Sequence, residues 1–122
     1  MTKPHVELPT DGLTGELQVR DLIEGTGPVA QAGQQATVHY VGVAHSTGAE
    51  FDASYNRNSP FTFPLGGGRV IAGWDQGVQG MKVGGRRELI IPPHLGYGDR
   101  GAGGAIKGGE TLIFVVDLLD LR

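Results

Sequence analysis

Cysteine is absent from this chain of 122 residues, which excludes disulfides, thiolate metal sites and a thiol nucleophile. Aromatic residues make up only 7% of the sequence. No apolar run is long enough for a signal peptide or a membrane span. We therefore expect one domain with one packed core, a cytoplasmic location and no contact with a membrane.

A stripe of basic residues is also lacking, because 10 Lys and Arg are spread among 13 Asp and Glu, for a net charge of −3. Such a chain has no surface that would neutralise a phosphate backbone, so we expect no nucleic-acid partner. The four histidines are isolated in sequence and no serine stands in a nucleophile-elbow setting, so neither a metal site nor ordinary hydrolase chemistry is expected.

Glycine is abundant, with 22 residues, and it punctuates a series of short alternating segments. The alternation predicts strands over 17–23, 36–44, 87–91 and 111–121. Residues 51–65 resemble two strand pieces with a bulging connection, since Pro60 and Pro64 disfavour a central strand. The glycine-rich segments 66–73 and 101–109 lack the spacing of phosphate-binding motifs and are interpreted as turns.

One segment has helical spacing: Val70, Trp74, Val78 and Met81 lie four, four and three residues apart. This predicts a short helix over 70–79, within an α+β domain of antiparallel strands. We place that domain at residues 17–122, after an extended or mobile tail at 1–16.

The few aromatic residues fall mostly beside polar or glycine-rich segments. With their polar companions they are Tyr40, Phe51, Asp52, Arg57, Phe61, Phe63, Trp74, Tyr97 and Phe114. Composition leaves two interpretations open, a plain aromatic core, which is the commoner, and a cavity open on one side.

Several motifs, in order, resemble those of FKBP domains over residues 17–122. They are VHY at 38–40, FDAS at 51–54, RNSPF at 57–61, FPLG at 63–66, VIAGW at 70–74, IPP at 91–93, YG at 97–98 and LIFVVDLL at 112–119. The resemblance implies a strongly bent antiparallel β-sheet wrapped around one short α-helix, with the active site between them.

The resemblance also implies the roles of the site residues. Trp74 would form the floor of a proline pocket, Asp52 and Tyr97 would make polar contacts at its rim, and Arg57 would orient Asp52. The Ile71 amide would bind a substrate carbonyl. The remaining substrate-binding residues would be Tyr40, Phe51, Phe61, Val70, Ile71, Ile106 and Phe114.

The implied activity is that of a peptidyl-prolyl cis-trans isomerase, which accelerates rotation about X-Pro bonds and assists protein folding. Amide resonance opposes this rotation with a barrier of about 18–20 kcal/mol, but no covalent bond breaks. No metal and no cofactor is therefore expected. The partners implied are proline-containing peptides and unfolded proteins, with macrolides such as rapamycin as inhibitors, and the protein is expected to be a monomer.

Two departures from the family pattern concern the rim of the pocket. Residues 99–109 lack the histidine, isoleucine and proline pairs found in well-known members, which predicts fewer apolar contacts and a more mobile flap. Arg69 puts a positive charge at a rim position that is often acidic or polar elsewhere.

The alternative function is a non-catalytic binding module or chaperone that holds proline-containing segments in the same pocket.

Overall fold

A computed structural model describes residues 2–8 and 13–122 of the chain. Its strands are β1 Gln18–Ile23, β2 Gln35–Ala44, β3 Glu50–Ala53, β4 Phe61–Pro64, β5 Arg86–Ile91 and β6 Leu112–Leu121. The single α-helix of the described residues, α1, is Ala72–Gly77, and 3₁₀ turns occupy Ser54–Arg57 and Pro93–Leu95. The predicted α+β class and the order of its elements are confirmed.

All six strands form one antiparallel sheet, in the order β1-β5-β6-β2-β3 with β4 also paired to β2. Along one edge β2 pairs with β6, from Ala36 with Leu121 to Ala44 with Leu112. Along its other edge β2 pairs first with β4 and then with β3, so residues 51–65 are indeed two strand pieces. The turn Ser54–Arg57 joins those pieces and faces the middle of β2.

The helix is shorter than the predicted range 70–79: it begins only after Ile71, and it ends at Gly77, although Val78 still has helical angles and the chain turns away only at Gly80. Ile71 has an extended ψ of 147°, and Gly80 has a φ of +89°, which few residues other than glycine adopt. Helical spacing continues beyond the helix because Val70, Val78 and Met81 all pack on the same core.

Two glycines inside α1 face the sheet and bring the helix close to it. A Cβ atom at Gly73 would lie 2.5 Å from a methyl group of Ile91, and one at Gly77 would lie 2.6 Å from a methyl group of Leu89. Each glycine costs a helix about 1 kcal/mol relative to alanine. Close packing on β5 compensates for that cost, and it places Trp74 against the sheet.

Strand β6 is buried on both faces from Leu112 to Leu118. One face contributes to the main core beneath α1. On the other face, Ile113 forms a smaller cluster with Val43 and Ile90, and Val6 packs against this cluster.

The predicted tail, residues 1–16, lies partly outside the described residues, but residues 2–8 contact the domain. The Thr2 carbonyl accepts a hydrogen bond from Arg86, and Lys3 pairs with Glu50.

Within residues 2–8 and 13–122, no helix has the length and apolar character needed to cross a membrane. The same residues contain no group of three His, Asp or Glu arranged to hold a metal ion.

Candidate active site

A cavity of about 630 Å³ opens between the sheet and α1, and we call it the aromatic cavity. It is lined by Tyr40, Phe51, Asp52, Phe61, Gly68, Arg69, Val70, Ile71, Trp74, Tyr97, Ala105, Ile106 and Phe114. Every site residue predicted from the sequence lines it except Arg57, which lies behind Asp52. Its size and its mostly apolar lining with a few polar groups are typical of small-ligand sites.

Trp74 forms the deep end of the aromatic cavity, with only 4% of its surface exposed. Its ring meets those of Tyr40 at 4.9 Å and Phe114 at 5.3 Å, both nearly edge to face. The indole Nε1 is buried without a hydrogen-bond partner among the described residues. At the mouth, Phe61 and Tyr97 are each 39% exposed, so the cavity runs from a closed aromatic floor to an open rim.

One wall depends on a missing side chain in β2. Phe51 and Phe114 meet edge to face at 5.4 Å, directly over Gly42. A Cβ atom at Gly42 would lie 2.6 Å from the Phe114 ring and 2.7 Å from the Phe51 ring. Gly42 therefore allows both rings to approach the strand closely, a role that the sequence alternation did not reveal.

We expect Gly42→Ala to lower isomerisation and stability together, because the added methyl displaces the Phe51 and Phe114 rings. Overpacking of this kind costs about 1–3 kcal/mol. Gly104→Ala is the matched control, since nothing lies within 4 Å of its Cβ position. Urea unfolding and a peptide exchange assay measure both effects. Equal stability and activity of the two variants would contradict the proposed role of Gly42.

The polar rim of the cavity is a closed triangle of three side chains. The Tyr40 hydroxyl donates to Asp52 Oδ2 at 2.6 Å. Arg57 donates through Nη1 to Asp52 Oδ1 at 2.7 Å and through Nη2 to the Tyr40 hydroxyl at 2.9 Å. Arg57 thus holds Asp52 in place without lining the cavity, and its orienting role in the reaction stays a prediction.

These contacts also set the charge state of the rim. Burial alone would raise the pKa of Asp52, but the hydrogen bonds from Arg57 and Tyr40 outweigh it and hold the pKa below its usual value. Burial and the hydrogen bond to Asp52 raise the pKa of Tyr40. At neutral pH the carboxylate is therefore ionised and the Tyr40 hydroxyl keeps its proton.

Two donors on residues that line the cavity have no acceptor in the described part of the chain. The Tyr97 hydroxyl makes no hydrogen bond there, and burial, followed by the nearby Asp52 charge, raises its pKa, so it remains a donor. The Ile71 amide, just before α1, likewise donates to no backbone or side-chain group there. Both are available to a carbonyl group of a ligand.

The glycine-rich flap, residues 99–109, is held by backbone hydrogen bonds within it and to Gly98. Ala102 and Ile106 exchange two backbone hydrogen bonds, of 2.8 and 3.2 Å, and the Gly109 amide donates to the Gly98 carbonyl. Ile106 is only 6% exposed and belongs to the core, while Ala105 also lines the cavity. The mobility of the flap and its sparse apolar contacts to a substrate both stay predictions.

A buried polar network behind the rim was not predicted. Ser54, fully buried, accepts the Tyr40 amide proton at 2.7 Å and contacts His39 Nδ1 at 2.7 Å. Tyr55 donates to Asp117, which also accepts two hydrogen bonds from Arg86 at 2.6 and 3.1 Å. The network fixes the turn Ser54–Arg57, and hence Arg57, against β2 and β6.

Known proteins share both the sequence and the fold of this chain. Residues 27–119 match the family model described as FKBP-type peptidyl-prolyl cis-trans isomerase. An FK506-binding protein of Streptomyces anulatus is 68% identical over 118 residues, covering 96% of this chain and 95% of that protein. A probable FK506-binding protein of Corynebacterium glutamicum is 48% identical, covering 98% of both. The crystal structure of AtFKBP13 has a TM-score of 0.80 at 43% identity, covering 87% of this chain and 93% of that one.

Proposed function

Because this chain belongs to the FKBP-type peptidyl-prolyl cis-trans isomerases and is itself an isomerase of that kind, we propose that the X-Pro bond rotates inside the aromatic cavity. The observation that carries this proposal is the buried Trp74 ring at the end of an apolar cavity rimmed by donors. A proline ring would lie on Trp74, between Phe61 and Phe114, with Val70 and Ile71 along its side.

The physical basis of catalysis is the difference between the planar and the twisted amide. The planar form is stabilised by resonance and is more charge-separated than the twisted transition state, so an apolar surrounding disfavours it relative to the twisted form. Only interactions stronger in the transition state accelerate rotation. Lowering the barrier by about 7 kcal/mol corresponds to roughly a 10⁵-fold acceleration.

The donors at the rim supply orientation in this proposal. The Ile71 amide and the Tyr97 hydroxyl have no acceptor in the described residues, so each would bind a carbonyl oxygen of the peptide. Asp52, held by Arg57, keeps a fixed negative charge at the rim and would make a polar contact with the peptide. Since no bond breaks, these residues need only bind and orient.

The natural ligands of this site would be proline-containing segments of unfolded proteins, which the isomerase would help to fold. We extend the proposal to FK506-type macrolides, including rapamycin, because the cavity suits an apolar ring with flanking carbonyl groups. We also propose that the protein acts as a monomer in the cytoplasm.

Titration with a proline peptide while the Trp74 indole N–H resonance is followed by NMR tests where the ligand binds. We expect a large, saturable shift of the single tryptophan signal. A macrolide should displace the peptide and so reverse its effect on that signal. A peptide that is isomerised without affecting this signal would rule out the aromatic cavity as the site.

Tyr97→Phe removes the free hydroxyl while leaving the ring that lines the cavity. Loss of one neutral hydrogen bond is worth about 0.5–1.5 kcal/mol, so we expect kcat/KM for a Leu-Pro peptide to fall about two- to tenfold. The melting temperature should not change, because the Tyr97 hydroxyl has no hydrogen-bond partner in the described residues. An unchanged kcat/KM would reject the role of this hydroxyl.

A further inference from the structure

The mouth of the aromatic cavity carries a guanidinium that its surroundings leave unpaired. Arg69 lines the cavity and is exposed, and no ion pair or side-chain hydrogen bond involves it among the described residues. By contrast, the other cation beside the mouth, Arg57, is held by Asp52 and Tyr40. Arg69 is therefore the charge that an incoming peptide meets.

Two carboxylates, one that holds the turn before Arg69 and one that lines the cavity, already accept hydrogen bonds from other groups. Asp75 accepts the amide protons of Gly66 and Gly68, each at 2.9 Å, and so clamps the turn that leads into Arg69. Asp52 accepts from Arg57 and Tyr40. The clamp fixes the backbone before Arg69 while leaving its charge uncompensated.

Local and overall charge have opposite signs here. The charged residues of the lining are Asp52 and Arg69, and Arg57 neutralises Asp52, which leaves a net positive mouth. The whole chain carries a net charge of −3. At distances beyond the Debye length the protein does not attract anionic peptides, so any preference for them must arise within about 10 Å of the mouth.

We propose that Arg69 determines specificity. In this proposal the isomerase favours X-Pro segments with an acidic side chain flanking the proline over segments with an uncharged side chain of the same shape. This inference rests on the proposed function, since the peptide must occupy the aromatic cavity. A partly exposed ion pair is worth about 0.2–1 kcal/mol, which corresponds to about a 1.4- to fivefold gain in kcat/KM at low salt. About 1 M salt removes the gain, because it shortens the Debye length to about 3 Å.

Cis-trans exchange measured by NMR on isosteric peptide pairs tests the inference. Ala-Glu-Pro-Phe is compared with Ala-Gln-Pro-Phe, and Ala-Leu-Pro-Glu with Ala-Leu-Pro-Gln, so that each flank is sampled with and without the charge. The variant is Arg69→Gln. Its matched control is Arg122→Gln, which changes the net charge equally, at a side chain 83% exposed that lies beside Asp120.

We expect the wild-type protein and Arg122→Gln to prefer the Glu peptide of at least one pair, and Arg69→Gln to lose that preference. Equal rates within both pairs for the wild-type protein, or a preference that survives in Arg69→Gln, would overturn the inference. Failure to accelerate Ala-Leu-Pro-Phe as well would instead count against the proposed function, so the two failures are distinguishable.

Discussion

Trp74→Ala is expected to abolish measurable isomerase activity and to lower the free energy of unfolding by about 3–5 kcal/mol. The indole is buried and packs on the rings of Tyr40, Phe63 and Phe114. Its loss removes both the surface on which the proline ring would lie and a central element of the core. For a domain of this size, such a loss is a large fraction of the total stability, which is typically about 5–15 kcal/mol.

Phe61→Ala separates the two effects of the Trp74 substitution. Phe61 is 39% exposed at the mouth, yet its ring lies 6.1 Å from that of Trp74 and lines the same cavity. We expect this variant to fold with a smaller loss of stability and still to lose most of its activity. Urea unfolding measures the stability of each variant, and peptide exchange measures its isomerase activity.

A fully active and fully stable Trp74→Ala protein would contradict the assignment of Trp74 as the floor of the aromatic cavity.

Asp117→Ala is expected to destabilise the fold by about 3–5 kcal/mol, the cost of leaving a buried charge without its partner. Asp117 is fully buried on β6, and Arg86, whose side chain is only 16% exposed, donates two hydrogen bonds to it. Burial and the hydrogen bond to Asp117 also raise the pKa of Tyr55, so its hydroxyl stays protonated and donates to the carboxylate.

Activity should fall in Asp117→Ala as well, because Tyr55 belongs to the turn Ser54–Arg57 that carries Arg57. Asp120→Ala is the control, since it removes a carboxylate from the same strand where the partner, Arg122, is exposed. We expect the control to change stability by less than about 0.5 kcal/mol. Denaturation midpoints that shift equally in the two variants would show that the buried network is not what stabilises the turn.

The rings of the aromatic cavity could be predicted because the residues that build them lie in ordered motifs. Trp74, Tyr40 and Phe114 stand in segments whose order and spacing resemble those of one family, and that resemblance extends to the fold. Periodicity and composition alone placed the strands but left both a plain core, the commoner case, and a cavity open. The geometry of the rim, with Arg57 behind Asp52, needed three-dimensional contacts to be seen.

The buried network could not be predicted because its members are far apart in sequence. Arg86 and Tyr55 lie 31 and 62 residues from Asp117, and strand alternation shows only which face Asp117 occupies. The ends of α1 were also beyond prediction, because Val70 and Val78 keep helical spacing while the backbone turns. At Gly42, a strand glycine signals a close approach of some kind, but not that two aromatic rings make it.

The most direct test of the central claim, that the X-Pro bond rotates in the aromatic cavity, is the NMR exchange rate of Ala-Leu-Pro-Phe with and without saturating rapamycin. We predict that catalytic amounts of the protein accelerate cis-trans exchange, that rapamycin abolishes the acceleration, and that the Trp74 indole signal shifts as it does so. If the Trp74 signal shows that rapamycin fully occupies the aromatic cavity and cis-trans exchange is still accelerated, the claim is contradicted.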